Sequence, residues 1–102
     1  MTFNELSNFT KQVLRLLDDE SYGELQIALF QRPGLGKVIK GSGGLRKVRW
    51  AAKGHGKSGG VRAIYYWYVA NELITFCRIY PKNEKENLTA DEIKTINDEL
   101  EN

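Results

Sequence analysis

Apolar residues recur at helical spacing along the first third of the chain. Phe9, Val13, Leu16 and Leu17 stand at i, i+4, i+7 and i+8 and form one stripe of a first helix. Asp18 and Asp19 break the stripe. Ser21 with Glu24 spells a capping box, and Tyr22, Leu25 and Leu29 mark the inner face of a second helix that runs to Gln31, where Pro33 and Gly34 stop it. Before this helical hairpin, Thr2 to Glu5 leaves room for a brief strand. Beyond Leu45 the pattern changes to alternation. LRKVRWA places Val48 and Trp50 on one face and Lys47 and Arg49 on the other. VRAIYYWYVA, then Asn71-Glu72, then LITFCRIY spell a hairpin rich in aromatic and β-branched residues. Alternation there groups Arg62 with Ile64, Tyr66 and Tyr68, and Arg78 with Phe76 and Tyr80. Near the end, Thr89 with Glu92 makes a second capping box, Leu88 with Ile93 a hydrophobic staple, and Ile93, Ile96 and Leu100 the stripe of a closing helix.

This order of a weak strand, two helices, three strands joined by tight turns and a terminal helix predicts an α+β fold. A helical hairpin and a C-terminal helix pack on one face of a small, mainly antiparallel β-sheet, and the cations occupy the other face. The chain's 102 residues fit a single domain, 1–102. No run of about 18 apolar residues is present to cross a bilayer, and MTFNELSNFT lacks the basic start and apolar stretch of a signal peptide. The single cysteine, Cys77, lies among apolar neighbours and reads as a core residue in a reducing compartment. The chain is therefore expected to be cytoplasmic, with no membrane partner.

Charge changes the picture. The net charge is only +2, yet Pro33 to Asn71 contains no acid and carries Lys37, Lys40, Arg46, Lys47, Arg49, Lys53, Lys57 and Arg62, whereas residues 83 to 102 are rich in Asp and Glu. Cations without counter-charge repel one another unless an anion neutralises them, and the commonest dense polyanion in cytoplasm is nucleic acid. Within the basic stretch AAKGHGKS satisfies the loose spelling of a phosphate-binding P-loop, but a P-loop must open a helix whose free N–H groups cradle phosphate. Ser58 is followed instead by the strand pattern GGVRAIYYWYV, so no nucleotide cofactor is expected. One histidine and one cysteine cannot supply a zinc site, and neither a metal nor any other cofactor is expected. Lys53, His55 and Lys57 on the glycine-rich segment remain suited to wrapping a phosphodiester.

The runs GSGGLRKVRWAAKGHGKSGGVRAIYYWYV and ITFCRIYPKNE together resemble the HigB-like branch of the RelE/ParE superfamily of bacterial toxins. The resemblance implies a ribosome-dependent endoribonuclease (mRNA interferase) that cuts mRNA in the A site of the 70S ribosome and inhibits translation. Its partner would be a cognate HigA-like, helix-turn-helix antitoxin. The implied reaction is metal-independent attack of a ribose 2′-OH on the adjacent phosphorus. By position in the family, the catalytic set falls on Lys47, Arg49, Arg62 and Lys82, with Glu84 as a candidate base. Arg46, Lys53, His55 and Lys57 would meet flanking RNA or ribosome, and Tyr66, Tyr68 and Tyr80 could stack on bases. The family's arginine after the lysine matched by Lys82 is Asn83 here, and its later tyrosine is replaced near Leu88 and Thr89, so the acid and base are not assigned by transfer. Two alternatives stay open: a ParE-like toxin that inhibits DNA gyrase, and a non-catalytic nucleic-acid-binding domain.

Overall fold

The break at Asp18-Asp19 is a helix junction. The computed structural model describes residues 1–51 and 60–102. In it β1 spans Thr2–Glu5, α1 spans Ser7–Leu16 and α2 spans Asp19–Gln31. The N-cap of α2 is Asp18, whose carboxylate accepts from the Ser21 N–H at 2.6 Å. The helix thus opens one turn earlier than a Ser21 cap would place it, and Ser21 is buried in the first turn. Asp19 and Glu20 then stand where the helix dipole favours negative charge.

Five strands follow from the rest of the pattern: β1 with β2 at Lys37–Val38, β3 at Arg46–Ala51, β4 at Gly60–Tyr68 and β5 at Leu73–Pro81. They form one sheet in the order β1-β5-β4-β3-β2, with β1 parallel to β5 and the other pairs antiparallel. The sheet is mainly antiparallel, as expected, and β2 is an addition that its two residues are too few to announce. A short helical turn, Val69–Asn71, links β4 to β5 and ends on Glu72, held in the left-handed region at φ 49°.

The hairpin α1–α2 covers one face of the sheet. Phe9, Val13, Leu17, Leu25 and Leu29 pack on Val48, Val61, Ala63, Tyr65, Ile74, Phe76 and Ile79. Phe76 lies at the centre, its ring stacked 4.8 Å from Phe9 and 5.8 Å from Phe3. Each such buried side chain contributes about 1.5–3 kcal/mol. The closing helix α3, Ala90–Glu101, lies on the opposite face, where Ile96 packs with Leu45, Ile64, Cys77 and Tyr80. The expectation that all helices share one face is corrected here: α3 shares its face with the cations.

A bulge explains how β5 serves both cores. The register shifts between Ile64, which pairs with Arg78, and Tyr65, which pairs with Phe76, so Cys77 is the extra residue. Phe76 therefore turns to the hairpin while Cys77 and Arg78 turn to α3, which separates the Phe76–Arg78 pair that strict alternation grouped together. Burial pushes the Cys77 thiol up to about 12, in keeping with a core residue.

Two further contacts fix the frame. The Tyr65 hydroxyl donates to Pro33 O at 2.7 Å and accepts from the Gly36 N–H at 2.8 Å, which ties the segment after α2 to β4. At the other end, Thr89 and Glu92 form the expected capping box, and the second oxygen of Glu92 accepts from Lys85. These bonds hold the Glu92 carboxyl below its ordinary range: the Lys85 hydrogen bond is the largest cause, followed by the backbone N–H of Thr89.

Tyr65→Phe should lower unfolding free energy by about 1–3 kcal/mol, because it strands a buried N–H and a carbonyl; urea titration should show a lower midpoint with an unchanged slope. Glu92 has a depressed folded-state pKa, so its contribution is fully present above the ordinary carboxylate value and is lost as pH falls through the folded one. Between about pH 5 and pH 3 wild type should lose more stability than Glu92→Gln, a difference that urea titrations at each pH would measure.

Candidate active site

Strand register decides which cations meet. Lys37 of β2 pairs with Lys47 of β3, and Arg49 of β3 pairs with Arg62 of β4. Arg62 pairs in turn with Tyr80, and Ile64 with Arg78. Two rows thus cross the face that α3 shares, and each begins with two like charges directly opposite one another. Such pairs destabilise a sheet by roughly 0.2–1 kcal/mol each.

Arg62 is only 5% exposed, although its charge is uncompensated by any carboxylate among the described residues. Its Nη1 donates to the carbonyls of Lys82 and Lys85, the latter at 2.9 Å. Lys47 Nζ likewise donates to Glu86 O at 3.0 Å and lies 3.4 Å from Asn87 Oδ1. Both cations therefore hold the segment after β5 through neutral oxygens, which stabilise a charge without cancelling it. Lys82 is half-buried; its N–H donates to Gly60 O at 3.0 Å and its stem crosses Gly60, where a Cβ would lie 3.3 Å from Lys82 Cδ. Arg49 and Lys37 are exposed, and neither they nor Lys82 form an ion pair among the described residues.

Three acids of α3 are matched elsewhere among the described residues. Arg78 pairs with Glu99 at 2.8 Å, Lys85 with Glu92, and Lys94 with Asp98 at 2.9 Å. All three pairs involve α3.

Buried among these groups are Arg62 Nε and Tyr80 Oη, which have no hydrogen-bond partner among the described residues. They belong to cross-strand neighbours in the same row. Tyr80 is 6% exposed and Lys85 Nζ sits 5.7 Å from its ring centroid, so the ring is covered and is not offered for base stacking. Burial pushes the Tyr80 hydroxyl up, with Arg62 opposing.

The structure thus brings together Lys47, Arg49, Arg62 and Lys82 of the expected set, around the start of β4 and the segment that follows β5. Others are placed apart. Tyr66 and Tyr68, with ring centroids 4.7 Å apart, stand towards the far end of β4 beside Gly43 and Leu100; Tyr66 is four residues from Arg62, about 13 Å along the strand. Arg46 lies on the hairpin face, where its Nη1 donates to Gly36 O at 2.7 Å and Gly34 O at 3.3 Å and its guanidinium sits 5.8 Å over Trp67. That engagement separates it from the RNA-facing group in which the sequence placed it. Glu84 is exposed and lines a cleft of about 420 Å³ with Arg15, Arg78 and Lys85, distinct from the groove lined by Lys47 and Arg49. Lys53, His55 and Lys57 lie outside the described residues. Lys85 and Asn87, which help anchor the segment, were not singled out by the sequence, since only the folded-back path of residues 82 to 88 brings them to the sheet.

Comparison with known proteins places the fold and the family. The chain is similar in fold to the E. coli toxin RelE, in a form with two arginine-to-alanine substitutions in the free state. The likeness has a TM-score of 0.63 at 13% sequence identity and covers 92% of this chain and 94% of that one. Independently, residues 36–100 match the family model described as RelE toxin of the RelE/RelB toxin-antitoxin system. Because that match takes in β2 to α3 and every cation of the two rows, well over half of the chain, the protein belongs to the RelE toxin family.

Proposed function

We propose that the protein is an mRNA endoribonuclease of the HigB-like branch that acts on ribosome-bound mRNA in the cytoplasm and is silenced by a HigA-like antitoxin. The observation that carries this is the pairing of Lys37 with Lys47 and of Arg49 with Arg62, on one face, with no carboxylate to neutralise them among the described residues. A fold tolerates such pairs where an external polyanion supplies the missing charge.

In the proposed reaction a ribose 2′-hydroxyl gives up its proton and its oxygen bonds to the adjacent phosphorus. The bond from phosphorus to the 5′-oxygen breaks, leaving a 2′,3′-cyclic phosphate, and the departing oxygen takes up a proton as a 5′-hydroxyl. The phosphorane-like state carries extra negative charge, and cations fixed in advance stabilise it without reorganisation. Arg49 and Lys82 are the members with side chains left open for the phosphate. Lys47 stands beside them, two residues from Arg49 on the same face, near the position of the nucleophile. Arg62, buried and bonded to the backbone, is a positioning residue: it holds the carbonyl of Lys82 and so places that ammonium. Glu84 lies in a different cleft from Lys47 and Arg49, so a role as base requires the segment carrying it to shift when RNA binds.

Ribosomes programmed with mRNA and incubated with the protein should yield discrete cuts by primer extension, with cyclic phosphate at the upstream ends. Arg49→Ala and Lys82→Ala should each slow cutting by about 10²-fold or more while ribosome affinity changes only a few-fold. Absence of cutting by the wild-type chain, with inhibition of gyrase supercoiling in its place, would overturn the proposal.

A further inference from the structure

Because β2 pairs only with Arg46 and Lys47, the edge of β3 from Val48 to Ala51 has no strand neighbour on that side among the described residues. Along it runs a groove of about 610 Å³ lined by Leu35, Lys37, Lys47, Val48, Arg49 and Trp50. The lining divides by chemistry: Leu35, Val48 and Trp50 are apolar, and the other three are cations. No carboxylate lines the groove among the described residues.

We infer that this groove is a subsite for one nucleotide of single-stranded RNA next to the cleavage position, with the base against Trp50 and Leu35 and its phosphate on Lys37. This rests on the function proposed above and adds to it a site and a pair of residues, Lys37 and Trp50, outside the catalytic group. Three features favour a nucleotide. Lys37 faces Lys47 directly, so an anion set between them removes a repulsion that the fold otherwise bears. Trp50 is half-buried and its indole N–H is already satisfied by Ser21 O at 3.0 Å, which fixes the ring and leaves only its apolar surface to offer. Arg49 belongs both to this groove and to the row that contains Arg62, so a strand leaving the scissile phosphate reaches the groove by passing over the β3 edge. A ligand with a planar apolar part and a negative charge, repeated along a chain, meets all three conditions. An extended peptide could add to the open β3 edge, but the lining offers it three cations and no anion.

Binding should be measured with a hexanucleotide whose riboses are 2′-O-methylated, so that it lacks the nucleophile, and with an abasic oligomer of the same backbone. Lys37 is exposed and forms no ion pair among the described residues, so Lys37→Gln should fold as wild type, weaken hexanucleotide binding about three- to tenfold and lower the salt slope by about one. Trp50→Leu should weaken binding of the hexanucleotide about tenfold and of the abasic oligomer hardly at all. Trp50→Phe keeps a stacking ring and should restore most of the loss, which guards against a folding defect in the leucine variant. The inference is overturned if wild type binds and cuts RNA while Lys37→Gln and Trp50→Leu bind the hexanucleotide as wild type does. It is equally overturned if Lys37→Gln retains RNA binding but escapes neutralisation by the antitoxin, since the groove would then be a protein site. Failure of the wild-type chain to bind or cut RNA at all would instead strike the proposed function, and this inference with it.

Discussion

A guanidinium taken out of water and held by neutral backbone oxygens is the constraint on which the cationic face depends. Removing such an ion from solvent costs several kcal/mol, and Arg62 offsets that cost with the carbonyls of Lys82 and Lys85. The consequence is a fixed path for the segment after β5. Along that path Glu86 O reaches Lys47, Lys82 crosses Gly60, and Lys85 reaches Glu92 at the start of α3. A carboxylate in place of those carbonyls would secure the loop as well, but it would cancel the charge. Neutral acceptors fix the geometry and leave the field.

The same distinction separates the two basic groups of the molecule. Arg78, Lys85 and Lys94 each meet an acid of α3 and become local dipoles, whose fields fall away faster than those of single charges. Lys37, Arg49 and Lys82 meet none among the described residues. Among the described residues, the acidic C-terminal region therefore does not neutralise Lys37, Lys47, Arg49 or Arg62, although α3 occupies the same side of the sheet. What it neutralises is the part of that side on which α3 docks through Ile96 and its neighbours. Lys37 and Arg49 belong to the exposed part.

Much of this fold was legible from periodicity, because most of its elements are long enough to show one. The stripe Phe9–Val13–Leu17 and the alternation Val48–Trp50 against Lys47–Arg49 each report their faces directly, and the structure agrees with both. Three features were not legible, each for its own reason. The strand β2 has two residues, so alternation cannot define it and only its pairing with Arg46 and Lys47 does. The extra residue at Cys77 sits in an unbroken run of β-formers, with no glycine to mark the bulge, so its shift of face passes unseen. At the start of α2 three cap formers stand close together, Asp18, Asp19 and Ser21, and local sequence does not choose among them. For the site, the shared face of Lys47 and Arg49 followed from alternation alone, and the β3–β4 register then sets Arg62 opposite Arg49. The burial of Arg62 and the covering of Tyr80 did not follow, since both depend on the segment after β5 folding back over the sheet.

The glycine-rich motif that first suggested a nucleotide site leads to the same face by a different route. Gly60 opens a strand, where a P-loop would open a helix. A helix start offers converging N–H groups and a dipole to one phosphate, whereas a strand places its N–H groups in the ladder and leaves only side chains to meet an anion. Those side chains are then spaced by the sheet. Lys47 and Arg49 stand about 7 Å apart along β3, and Lys37 and Arg62 flank them about 5 Å away on the neighbouring strands. Four charges on such a lattice extend in two directions and do not close around a point. A compact triphosphate gains little from that spread, while a chain of phosphates laid across the strands can occupy several positions in turn. Cations spaced by a sheet thus fit an extended anion better than a compact one, by shape as well as by sign.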